Sequence, residues 1–154
     1  GKELSSTMDF LPTFASISGA KLSGAKIDGF DISPLLLGKE NATSPYEAFY
    51  YYRRRQLQAI RWGDWKWHLP LERTHPNWTT PKATGRGRPA RLYNLAKDIR
   101  EKNNVLKDNP DVMKEMRELA KRAVSSIGDG AAGGSEARPA LTLDASTPLG
   151  LKKK

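Results

Sequence analysis

The chain has 154 residues, long enough for one domain with a real core, but 38% hydrophobic against 28% charged residues predicts that part of it stays outside that core. Lys and Arg number 26 against 17 Asp and Glu, a formal net charge of +9, and the absence of cysteine excludes disulfides, thiolate metal sites and a cysteine nucleophile. No apolar run reaches membrane-spanning length and residues 1–10 do not read as a signal peptide, so no membrane partner is expected.

In chain order, residues 7–18 read as a short helix, with Thr7 placed to cap it, Asp9 at its positive end and Gly19 suited to a left-handed stop. Pro12 is tolerated because it falls near the first turn. Phe10, Leu11, Phe14 and Ile17 form its apolar face, and a helix this short needs a partner. Residues 20–47 read as irregular, with one helical turn at residues 33–38 that places Pro34 first. Residues 48–52 are a strand. Residues 57–61 and 65–69 alternate in character on either side of Gly63-Asp64, so they read as a hairpin. Trp62, Trp65 and Trp67 crowd that turn and give the hairpin a face made for burial. Residues 70–90 read as a long polar loop with four prolines, and residues 91–95 as a fourth strand. Asn109 is placed to cap a helix over residues 110–127 whose apolar stripe is Val112, Met116, Leu119, Ala120, Ala123 and Ile127. Residues 129–154 are rich in Gly, Ala, Ser and Pro and read as a flexible tail.

No residue pattern here announces a reaction. HExxH, P-loop and GxSxG motifs are absent. His68 ends a strand and His75 sits in the long loop, where site residues concentrate. Gly85-Arg86-Gly87-Arg88 reads as a solvated loop rather than a phosphate cradle, because no strand-to-helix turn follows it. Asp28, Asp31 and Asp64 read as turn residues, lacking the spacing of a calcium loop. Asn41-Ala42-Thr43 and Asn77-Trp78-Thr79 fit the glycosylation sequon. Tyr50 to Arg55 reads as a strand and charged turn rather than a nucleic-acid surface, and the other basic residues are dispersed, so no nucleic-acid partner is expected.

Four segments carry a family resemblance. Thr7-Met8-Asp9-Phe10-Leu11-Pro12-Thr13-Phe14 resembles a "DLLPT" helix, and Ile27 to Gly38 resembles "DGxDLSPLLLG". Gln58 to Lys66 resembles a "QAVRxGxWK" hairpin; Leu92-Tyr93-Asn94-Leu95 with Asp98, Glu101 and Asn104 resembles "LYDLxxDxxExxN", Asn94 standing where Asp is usual. In this order they resemble the C-terminal portion of a type I sulfatase of the arylsulfatase A kind. The resemblance implies an α+β fold, a four-stranded antiparallel sheet against one long C-terminal helix. Ahead of it, a short helix and irregular segment would be left over from an alkaline-phosphatase-like catalytic domain. It divides the chain into residues 1–45 (end of the catalytic domain and connector), 46–128 (C-terminal subdomain) and 129–154 (tail).

The resemblance also implies sulfate-ester hydrolysis by a formylglycine, made from Cys or Ser in a (C/S)-x-P-x-R motif, beside a calcium ion. Ser146-Thr147-Pro148-Leu149-Gly150 has Gly150 where that motif needs Arg, so no catalytic, cofactor or metal residue is assigned. Calcium and formylglycine are expected in a catalytic domain that this chain lacks. In the family the loop after the Trp-Lys-x-His strand approaches the active-site mouth, which makes His75 the implied substrate contact with His68 behind it. The implied partners are that catalytic domain and an aryl sulfate or sulfated polysaccharide; the implied location is periplasmic or secreted. The expectation is thus a sulfatase C-terminal fragment, inactive alone. The other reading is a stand-alone basic module that binds sulfated or other anionic polymers.

Overall fold

The computed structural model describes residues 3–74, 82, 84–130 and 132–138. Two short helices come first, α1 (Phe10–Ser18) and α2 (Ser33–Leu36), followed by strands β1 (Phe49–Arg53), β2 (Gln56–Trp62) and β3 (Trp65–His68). A ribbon of β4 (Leu71–Thr74) and β5 (Gly85–Arg88) intervenes before β6 (Arg91–Asn94), and helix α3 (Pro110–Ser126) follows. The main sheet is antiparallel in the order β1-β2-β3-β6, so the fold is the expected α+β arrangement, but the residues read as a polar loop hold a paired ribbon of their own.

Strand pairing lines up Tyr50, Ile60, Trp67 and Leu92 across the sheet. Ile60, Trp67 and Leu92 are buried in one cluster with Met113, Met116, Leu119 and Ala123 of α3, while Trp62 and Trp65 pack partly buried at its edge. The Trp-rich hairpin therefore lies under the helix. Leu57 joins the same cluster although it stands three residues from Ile60, which a regular strand would place on the other face. A register shift solves this: Tyr51 pairs with Ala59 but Tyr52 pairs with Leu57, so Gln58 is an extra residue and the strand bulges. On α3 the buried stripe includes Met113, which the periodicity passed over, while Ile127 at the helix end is left 45% exposed.

The helix caps differ from expectation. Ser6, not Thr7, caps the first turn, its Oγ accepting from the Met8 N–H while Asp9 Oδ2 accepts from the Ser6 N–H at 2.7 Å. Asn109 makes no side-chain cap; its Nδ2 donates instead to the Val105 carbonyl at 2.7 Å. Gly19 does end α1 in the left-handed conformation, φ 71°.

The segment after α3 does not leave the fold at once. β7 (Gly128–Asp129) pairs with β8 (Ala132–Gly133). Leu57 N–H donates to Asp129 Oδ1 at 2.9 Å and Gly130 N–H to the Arg55 carbonyl at 2.7 Å. Farther on, Lys26 pairs with Glu136 and Asp28 with Arg138. Composition hides this attachment because it rests on backbone and polar contacts rather than on apolar area. Residues 139–154 lie outside the described residues. Among the described residues no helix is long and apolar enough to cross a membrane.

Tyr52 anchors this turn by donating to the Gly128 carbonyl at 2.9 Å. Burial, and then the charge of Asp129, pushes its phenol up to about 12. Between the unfolded value of about 10 and the folded one, only the folded chain holds this proton, so the stabilisation is full below pH ~10 and drains as pH rises. Tyr52→Phe is expected to cost about 1 kcal/mol at neutral pH and to make the fall of melting temperature above pH ~10 shallower. A pH series of thermal melts reads both; an alkaline fall of unchanged slope would contradict this account.

Candidate functional site

The sheet face turned away from α3 gathers the polar side chains. Pairing sets Arg61, Lys66 and Tyr93 in one row and Ala59, His68 and Arg91 in the next. Lys66 and His68 alternate with Trp65 and Trp67, so burial of Trp67 under the helix fixes the outward direction of both. His68 meets Tyr93 edge-on at 5.7 Å and 84°, and Lys66 Nζ stands 5.2 Å from the centre of the Tyr51 ring.

Glu101 closes this cluster from the connection after β6. Its Oε1 accepts from Lys66 Nζ at 2.6 Å and its Oε2 lies 2.7 Å from His68 Nε2. Burial alone would raise the Glu101 carboxyl, but hydrogen bonds from Lys66 and His68 outweigh it and hold the group below its usual range. An ionised carboxylate only accepts, so His68 donates to it from Nε2. The connection is built to deliver Glu101: Asp98 Oδ2 accepts from the Asn103 N–H, Asn104 Oδ1 from the Leu92 N–H, and Glu101 itself takes a left-handed φ of 53°. Asp98, Glu101 and Asn104 thus each acquire a task that their spacing alone did not reveal.

A cavity of about 160 Å³ opens beside this cluster, at the base of the β4–β5 ribbon, lined by Gln58, His68, Arg88, Arg91, Tyr93 and Glu101 among others. His68 is therefore placed on the polar face, half-buried and hydrogen-bonded. His75 directly follows Thr74, the last residue of β4, and lies outside the described residues. Sequence reasoning missed Glu101 as the partner of His68, and it took the ribbon for a loop. The period-two alternation in Gly85-Arg86-Gly87-Arg88 was the available signal for a strand.

The described residues do not suit a resident metal. No three His, Asp or Glu side chains among them group closely enough to hold an ion. Asp31 instead accepts from the Ser33 N–H at 2.8 Å and Asp28 is engaged by Arg138, as turn and surface residues. With no cysteine in the chain either, no step of formylglycine or calcium chemistry is derived from these residues.

Comparison with known proteins gives this geometry its family. The model of the C-terminal region of aryl-sulfatase matches residues 44–141, and the chain belongs to that family. It is 34% identical to human arylsulfatase A over 133 residues, covering 76% of this chain and 26% of that protein. It is 29% identical to human steryl-sulfatase over 147 residues, covering 81% and 25%. A structure from work on the metabolism of multiple glycosaminoglycans by Bacteroides thetaiotaomicron superposes with a TM-score of 0.56 at 31% identity, over 75% of this chain and 24% of that one. A sulfatase from Pseudoalteromonas sp. shares the fold, with a TM-score of 0.59 at 22% identity over 79% and 26%. The chain spans about a quarter of the length of human and bovine arylsulfatase A and of human steryl-sulfatase.

Proposed function

We propose that this chain is the C-terminal part of a sulfuric ester hydrolase, forming the rim of the substrate pocket while the reaction belongs to an N-terminal catalytic domain. The observation that carries this reading is an uncovered apolar face: Phe10 is 46% exposed, Leu11 58%, Phe14 58%, Ile17 56% and Leu37 64%. A surface of this kind marks a place that another folded unit covers. Residues 1–45 are then the end of the catalytic domain and its connector, residues 46–128 the C-terminal subdomain, and residues 129–154 an appended tail whose first part is pinned to the sheet. Formylglycine and calcium belong to the catalytic domain, and the enzyme works in a periplasmic or secreted setting. His75 contacts substrate at the pocket mouth. His68 supports it from behind, its ring held by Glu101. The relatives are named for aryl, steryl and N-acetylgalactosamine-6-O sulfates, so membership supports sulfate-ester chemistry as the common ground.

The purified chain, given a chromogenic aryl sulfate and calcium, is expected to show no turnover. It is also expected to bind an apolar dye and to self-associate through the uncovered face. Turnover above the uncatalysed rate would overturn the claim of inactivity, and a monomeric, dye-silent chain would overturn the missing-partner reading.

A further inference from the structure

The alternation Gly85-Arg86-Gly87-Arg88 becomes a one-sided surface once it is paired. Arg73 stands opposite Arg86 and Leu71 opposite Arg88. Directly paired residues share a face, and residues two apart on a strand do too, so Arg73, Arg86 and Arg88 project together. At the two alternate positions of β5 the paired strand β4 leaves no room for a side chain. A Cβ on Gly85 would lie 2.5 Å from Thr74 Oγ1, and one on Gly87 would lie 2.4 Å from the Glu72 carbonyl oxygen. Glycine is thus required at both positions, and all the bulk of β5 falls on the arginine face.

That face is electrostatically expensive by itself. Arg73 and Arg86 are like charges in directly paired positions, which weakens a ladder. All three arginines are exposed, and the ion pairs among the described residues all lie elsewhere. Other surface arginines of this chain do have carboxylate partners: Arg122 has Glu47 and Arg138 has Asp28. At the base of the ribbon Arg88 joins Arg91 around the cavity described above, beside the His68–Glu101 pair, so the guanidinium line runs on towards the polar face of the sheet.

We infer that the arginine face of the β4–β5 ribbon binds a polysaccharide bearing several sulfate groups, with Arg73, Arg86 and Arg88 as its anion contacts. Guanidinium forks match oxyanions in two-point hydrogen bonds. Side chains two residues apart on a strand stand about 7 Å apart, which suits anions repeated along an extended chain rather than one small ion. A nucleic-acid strip would interleave aromatic side chains for base stacking, whereas the apolar member of this face among the described residues is Leu71. Family membership selects sulfate among polymer-borne anions, and in that choice alone the inference rests on the proposed function.

The test titrates the intact chain with a heparin oligosaccharide, and with its desulfated counterpart, by calorimetry at low ionic strength. The triple variant Arg73→Gln, Arg86→Gln, Arg88→Gln alters only exposed side chains, and circular dichroism checks that it folds. Binding of the sulfated sugar alone is expected, weakened about tenfold or more in the variant, with the slope of log K against log salt shallower by about 2. A matched variant, Lys114→Gln, Arg117→Gln, Lys121→Gln, removes equal charge from the exposed face of α3 and is expected to bind like the parent. No binding at low salt, equal loss in the matched variant, or equally tight single-stranded DNA lost with the same arginines would each overturn the inference. The outcome separates from the enzyme reading: a chain that turns over aryl sulfate yet binds the sugar sinks the fragment proposal and leaves the ribbon standing.

Discussion

Leu92→Ala is expected to lower the stability of the chain by about 2–5 kcal/mol, the range for emptying a packed leucine site. Leu92 is fully buried, at 0% exposure, opposite Trp67 and in the cluster closed by Met113, Met116 and Leu119. The site is poorly placed to collapse around the cavity. The Leu92 N–H is held by Asn104 Oδ1 at 2.9 Å, and its carbonyl accepts from the Val105 N–H at 2.9 Å. The strand is therefore fixed from both sides, which argues for the upper part of the range. Denaturant unfolding reads the effect as a lower midpoint at unchanged slope. Leu37→Ala is the control, since Leu37 is 64% exposed and should cost no more than about 0.5 kcal/mol in the isolated chain. Equal losses in the two variants would mean that the sheet–helix cluster is not the main core.

What could be read in the sequence was what has a period. The 3.6-residue stripe located α3, and alternation around Gly63-Asp64 located β2 and β3 to within a residue or two. The bulge at Gln58 breaks that alternation: strict period two puts Leu57 on the face away from Ile60, and the register shift returns it to the same one. The ribbon was hidden because prolines, glycines and charge argue for a loop, while what holds it is backbone pairing of Leu71–Thr74 with Gly85–Arg88 rather than an apolar period. His68 was legible as a polar-face residue by simple alternation with Trp67. Its partner was not: Glu101 reaches it across 33 positions, and no local pattern encodes that contact. The caps show the same limit at short range. Ser6 and Thr7 are both able to cap, and the choice falls on Ser6 because Asp9 returns the hydrogen bond to its N–H.

Asp9 is where a residue of modest expectation proves to hold the most together. Read alone, it is a carboxylate favoured near a helix start. In the fold it is completely buried, at 0% exposure, and its two oxygens serve three separate segments. Oδ2 accepts from the Ser6 N–H at 2.7 Å; Oδ1 accepts from the Phe30 N–H at 2.9 Å and from the Tyr46 hydroxyl. Burial, then the hydrogen bond to Asp9, raises the Tyr46 phenol far above its usual value, so this donor stays protonated at any working pH. Backbone packing around the joint is tight as well, since a Cβ on Gly29 would lie 2.0 Å from the Met8 carbonyl oxygen. Asp9→Ala strands all three donors at a cost of about 1–3 kcal/mol each where water cannot reach them, so a total of about 3–5 kcal/mol is expected with partial rehydration. Tyr46→Phe removes one donor and leaves the carboxylate two, so about 1 kcal/mol is expected. The double variant should lose less than the sum, because the Tyr46 donor is no longer there to be stranded. Thermal melts of the three variants measure this, and limited proteolysis should cut residues 19–28 first in Asp9→Ala, where the connector has lost its tie. Strict additivity, or a melt of Asp9→Ala within about 2 °C of the parent, would show that the helix, the connector and the sheet are not joined through this carboxylate.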